Sequence, residues 1–127
     1  MKHILIVDDD SAIQRLFEAF LQREGFRTSI AANGLEAILL IKENPPDLIV
    51  TDIIMDGMDG LALIREVKKS IPETPIIAIS GGQRTMSVDF EQSAEKTGSS
   101  QFLEKPIQLA ELLQSIYMLL GEEPPEK

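Results

Sequence analysis

Cysteine and tryptophan are missing altogether from these 127 residues, tyrosine and histidine occur once each, and acidic residues outnumber basic ones by 21 to 12. Without thiols there is no disulfide scaffold, no thiolate metal site and no cysteine nucleophile, and the cytosol becomes the expected compartment. The formal charge of −9 repels a phosphate backbone, so this domain is not expected to bind nucleic acid by itself. Long hydrophobic runs are also lacking. The first apolar stretch, Ile4 to Val7, stops at three consecutive aspartates, which fits neither a signal peptide nor a membrane span.

An apolar content of 43% argues against disorder, and the length suits one domain with a real core. Residues 1–121 are expected to form that domain, and 122–127, with Pro124-Pro125, a disordered tail or linker stub. Five short segments rich in β-branched residues read as strands: Ile4 to Val7, Thr28 to Ala31, Leu48 to Thr51, Ile76 to Ile79 and Gln101 to Leu103. The first, third and fourth are continuously apolar, as central parallel strands covered on both faces should be. The second and fifth are more polar, which suits edges.

Helical spacing fills the gaps. Ile13, Leu16, Phe17, Phe20 and Leu21 form one stripe, and Leu109, Leu112, Leu113, Ile116, Tyr117 and Leu120 another. Ala37, Ile38 and Ile41, and then Leu61, Ile64 and Val67, repeat the pattern more briefly, and a polar fourth helix is expected over about 86–97. Gly25 and Gly121 follow helices, Asn33-Gly34 precedes one, and Pro45-Pro46 and Pro72 close two others. Strand and helix thus alternate five times, which implies a parallel α/β sheet with right-handed crossovers and helices on both faces.

In such a sheet the functional site lies beyond the carboxyl ends of the strands. Asp8, Asp9 and Asp10 follow the first strand, Asp52 the third, Ser80-Gly81-Gly82 the fourth and Lys105-Pro106 the fifth. Crowded carboxylates need cations, and Lys105 and a metal ion can supply them. A few carboxylates without His or Cys suit a hard, partly hydrated ion, which points to Mg²⁺, with Mn²⁺ as a substitute. His3 opens the first strand at the opposite pole and is expected to play no part.

This ordered set at successive strand ends resembles the receiver domain of two-component response regulators, the CheY-like family, over essentially the whole chain. The resemblance implies a flavodoxin-like (βα)5 doubly wound parallel sheet in the order 2-1-3-4-5. It further implies that Asp52 accepts a phosphoryl group, that Asp9, Asp52 and the Ile54 carbonyl ligate Mg²⁺, and that Asp8 acts through a bound water. Lys105 and the Ser80 hydroxyl would then contact phosphoryl oxygens, with Pro106 forming a cis peptide bond that aims Lys105. Ser80 and Phe102 would carry the switch to the surface of the fourth helix, fifth strand and fifth helix. The implied partners are a sensor histidine kinase or histidine phosphotransfer protein, docking near Ala12, Ile13 and Leu16, and an output protein or fused effector domain. Such a domain is a signalling switch, catalysing only its own phosphorylation and slow dephosphorylation, and works as a monomer or a phosphorylation-dependent dimer.

Other readings attach to single residues. Asp10 or Ser11 is expected to cap the first helix, and Asp56 and Asp59 to be loop or cap residues. Asp8-Asp9-Asp10 also carries the Asp-x-Asp of a haloacid-dehalogenase-like Mg²⁺ phosphatase with Asp8 as nucleophile, although Ala12 departs from that pattern. A flavodoxin-like FMN carrier is disfavoured by three aspartates where the FMN phosphate would sit. An unphosphorylated docking platform would leave the acceptor set unused. Within the receiver family, Asp56 stands where proline is common, Phe102 lacks a phenolic hydroxyl, and Ile54 is apolar beside the acceptor, which implies slow dephosphorylation; Gly82 leaves space and works the other way.

Overall fold

Parallel pairing of five short strands carries the architecture. The computed structural model describes residues 1–53, 60–80, 101–104 and 106–122, with the backbone alone for Gly60, Leu61 and Ser80. The strands are β1 (His3–Val7), β2 (Arg27–Ala31), β3 (Leu48–Asp52), β4 (Ile76–Ser80) and β5 (Gln101–Glu104). They lie in the order β2-β1-β3-β4-β5, every neighbouring pair parallel, so β2 and β5 are the edges. The helices are α1 (Ser11–Arg23), α2 (Gly34–Glu43), α3 (Gly60–Ser70) and α4 (Leu109–Leu120). The helix expected over about 86–97 lies outside the described residues, as do Ile54, Asp56, Asp59, Gly81, Gly82, Lys105 and the tail from 123.

Alternation along the strands divides the core into two layers. Ile4 and Ile6 of β1 and Val50 of β3 pack with Phe17 and Leu21 of α1 and Ile116 of α4. Leu5, Val7 and Ile49 face the other way, towards Ala37 and Ile41 of α2 and Ile64 of α3. β1 and β3 are buried at every position, which is why their sequences show no polar alternation. Leu16 is an exception to the expected α1 stripe: it is 48% exposed, because it falls on the solvent margin of a face centred on Phe17 and Leu21.

The helix ends follow from local chemistry. Asp10 caps α1, its Oδ1 accepting from the Ala12 and Ile13 N–H groups at 2.8 and 3.4 Å, and Asn33 Oδ1 caps α2 by accepting from Glu36 N–H at 2.9 Å. Gly121 ends α4 in the left-handed region at φ 69°, where a side chain would be strained. Among the described residues, no helix is long and apolar enough to cross a membrane.

At the amino-terminal pole of the sheet His3 is 3% exposed. Its N–H donates to Asp47 Oδ2 at 2.7 Å, its carbonyl accepts from Asp47 N–H at 2.8 Å, and its Nε2 lies 2.7 Å from Ser29 Oγ. Burial, and then the Arg27 charge, push the imidazole below its ordinary 6.5. The Pro45 carbonyl and the Asp47 carboxylate favour the protonated ring, but Nδ1 closes no hydrogen bond among the described residues, and burial outweighs them. The folded state therefore binds the His3 proton less readily than the unfolded chain. Stability from this group is complete above 6.5 and is lost as pH falls through the folded value. Urea melts between about pH 7.5 and pH 5.5 should show wild type losing stability and His3→Gln losing less; equal slopes would contradict this assignment.

Candidate functional site

Strand register brings the acidic residues together. Ile4 pairs with Leu48 and Val7 with Thr51, so the next step of the same register sets Asp8 beside Asp52 at the carboxyl ends of two adjacent central strands. The Asp8 N–H still donates to Ala31 O at 3.1 Å, which carries the pairing of β1 with β2 one residue beyond β1 itself. Asp8 and Asp52 are 1% and 4% exposed, whereas Asp9 faces solvent. Each of the three offers one carboxylate oxygen, and these oxygens lie within 4.8 Å of one another.

The turn after β1 is shaped by its own polar groups. Asp8 Oδ1 accepts from Asp10 N–H at 2.9 Å, and the Asp8 carbonyl accepts from Gln14 Nε2 at 2.6 Å. On the neighbouring strand the Thr51 hydroxyl donates to the Asp52 carbonyl at 2.9 Å, and Ile53 N–H donates to Ile79 O at 3.0 Å. Hydrogen bonds thus fix the backbone at the carboxyl ends of both acidic strands. Nothing in the sequence pattern marked Gln14; the only available signal was a long amide one turn into a helix that begins beside the acidic run.

The remaining expected site residues divide by position. Ser80 is the last residue of β4 and pairs with Glu104, the last of β5, so its backbone reaches the same pole. Phe102 is partly buried against the α2 and α3 layer, while its neighbour Leu103 faces the α1 and α4 layer. Gln101 Oε1 accepts from the Ser115 hydroxyl at 2.8 Å, tying β5 to α4. Pro106 is exposed just after β5, and Lys105 and Ile54 lie outside the described residues.

Three carboxylates, two of them buried and Asp9 exposed, form an all-oxygen donor set of −3 formal charge. That chemistry fits a hard divalent cation and fits neither a soft metal nor an anion. Residues 4–117 match the family model described as the response regulator receiver domain. The chain belongs to this family.

Receiver sequences align along most of its length. It is 36% identical over 105 residues to an NtrX-like response regulator of Rickettsia bellii, covering 81% of this chain and 21% of the relative. The response regulator MprA of a Mycobacterium species is 32% identical over 124 residues, 98% of this chain and 53% of the relative. A CheY-like receiver domain protein from Methanospirillum hungatei superposes with a TM-score of 0.89 at 30% identity, covering 95% and 94% of the two chains. The chain therefore spans about half, or much less, of the curated relatives it matches. Its fold is that of a CheY-like receiver, and its class is a signalling switch of two-component systems.

Proposed function

We propose that this chain is the phospho-accepting receiver of a two-component phosphorelay, with Asp52 as acceptor and Mg²⁺ as cofactor, Mn²⁺ substituting. The observation that carries this reading is the convergence of the Asp8, Asp9 and Asp52 carboxylates at adjacent strand ends in a member of the receiver family. Asp9, Asp52 and the Ile54 carbonyl would hold the ion directly, and Asp8 through a bound water. Bound Mg²⁺ screens the crowded carboxylates and the incoming phosphoryl oxygens, which is the chemistry it supplies.

An Asp52 carboxylate oxygen then attacks phosphorus in line with the donor's nitrogen; the P–O bond forms as the P–N bond of a phosphohistidine breaks, and the phosphoryl group passes to Asp52. Lys105 pairs with one phosphoryl oxygen and the Ser80 hydroxyl donates to another. Movement of Ser80 and inward rotation of Phe102 couple that event to the surface formed by the helix expected over about 86–97, β5 and α4. Pro106, through a cis peptide bond, aims Lys105. The donor is a sensor histidine kinase or phosphotransfer protein, and the exposure of Ala12 and Leu16 beside the acidic turn supports docking there. An output protein or fused effector domain reads the switch, in the cytosol, with 1–121 as the receiver unit and 122–127 as tail or linker.

Incubation with acetyl phosphate tests this reading. A Mg²⁺-dependent gain of one phosphoryl mass, abolished by EDTA, is expected; no gain at any Mg²⁺ concentration contradicts it. Ile54 adds a second expectation, because an apolar residue two positions after the acceptor, where some family members carry one that orients the hydrolytic water, does not do so. Ile54→Asn should shorten the aspartyl-phosphate lifetime several-fold, roughly the effect of one added hydrogen bond to attacking water. An unchanged decay rate, read by intact mass over time, would remove the shielding role.

A further inference from the structure

Among the described residues, the Gln14 side chain reaches from α1 into the backbone of the acidic turn. It sits in the first turn of α1, one helical turn after the cap, where its N–H donates to Asp10 O at 3.0 Å. Its side-chain Nε2 turns back and donates to the Asp8 carbonyl at 2.6 Å. That carbonyl belongs to the peptide joining Asp8 to Asp9. A peptide is planar, so fixing its oxygen fixes the direction of the Asp9 N–H and restricts where the Asp9 side chain can point.

The turn needs such a restraint. Three carboxylate oxygens within 4.8 Å repel one another, and the turn after β1 bears two of the three groups. Asp8 is held on each side: its N–H by Ala31 O and its Oδ1 by Asp10 N–H. Asp9 is exposed, and its side chain leaves the turn from the 8–9 peptide whose carbonyl Gln14 holds.

We propose that Gln14 is a positioning residue for the divalent cation, holding the 8–9 peptide so that Asp9 points into the site before the ion arrives. The inference rests on the proposed function and names a residue that acts through the Asp8 backbone and touches neither ion nor phosphoryl group. Preorganisation of this kind appears as affinity, because a loop already in place loses no order on binding. Gln14→Met keeps the length and helix propensity of the side chain and removes its donor.

A matched control exists on the same helix. Gln22 Nε2 donates to Thr28 Oγ1 at 3.0 Å, an α1-to-sheet bond remote from the acidic turn. The test is Mg²⁺ titration of the unphosphorylated proteins by calorimetry, with thermal melts in EDTA alongside. Wild type should bind saturably, and Gln14→Met should raise the Kd about five- to tenfold, the worth of one typical hydrogen bond. Gln22→Met should leave the Kd unchanged. Gln14→Asn, whose shorter amide does not span the gap, should match Gln14→Met. Equal Kd values for wild type and Gln14→Met overturn the inference alone, as does a Gln22→Met effect of the same size, which would mark general loosening. Saturable binding missing from wild type itself would overturn the proposed function and this inference with it.

Discussion

Asp52→Asn is expected to be more stable than wild type in EDTA, indifferent to Mg²⁺ and inert to acetyl phosphate. The substitution keeps the shape of a side chain that is 4% exposed and removes one of two buried negative charges on adjacent strand ends. At the effective interior dielectric of proteins, like charges about 5 Å apart repel by roughly 3 kcal/mol, and solvent and neighbouring groups reduce this to about 1 kcal/mol net. For a domain of this size that is a rise of roughly 3–5 °C in the melting midpoint. Mg²⁺ stabilises whichever state binds it, so wild type should melt higher in saturating Mg²⁺ than in EDTA and the variant should not. The opposing signs are the diagnostic feature: a residue kept for packing alone would lose stability on substitution. A variant less stable than wild type in EDTA, or one raised equally by Mg²⁺, would contradict the electrostatic reading of the site.

Phe17→Ala should be the most damaging single change in the described core. Phe17 is 2% exposed and plugs α1 into the layer containing Ile4, Ile6, Val50 and Ile116. Truncating a buried phenylalanine costs about 3–5 kcal/mol through lost transfer energy and the cavity left behind. Whole domains are stable by only about 5–15 kcal/mol, so the midpoint should fall by about 10 °C or more. Leu16→Ala, one position earlier and 48% exposed, should stay within about 0.5 kcal/mol of wild type. Urea denaturation of the two variants measures the contrast, and equal losses would mean that α1 is rotated relative to the face described.

That pair also shows what a linear reading captures. Ile13, Leu16, Phe17, Phe20 and Leu21 all fit one helical stripe, and only packing against the sheet decides that Leu16 lies beyond its edge. Strand positions were more legible than helix faces, because two-sided burial writes β1 and β3 as unbroken apolar runs. The edge positions of β2 and β5 were legible for the complementary reason, since one open side admits Thr28, Ser29 and Gln101. Leu63 is fully buried although the short stripe of Leu61, Ile64 and Val67 did not include it, because three positions define a helical face poorly.

The acidic site was legible as a set of strand ends but not as a geometry. Asp8 and Asp52 are 44 residues apart in the chain, and the register of β1 on β3 is what makes them neighbours. Gln14 could not be read at all: its bond to the Asp8 carbonyl depends on how the chain turns between strand and cap, which no periodicity records. The burial of His3 was likewise hidden, because a single histidine at a strand start carries no pattern.

Location of the phosphoryl group on the wild-type protein tests the central claim most directly. After reaction with acetyl phosphate and Mg²⁺, borohydride reduction converts an aspartyl-phosphate to homoserine, and peptide mass spectrometry identifies the residue. Label at Asp52 is the predicted result. Label at Asp8, as a phosphatase nucleophile would give, or at no aspartate, would contradict the assignment of Asp52 as acceptor.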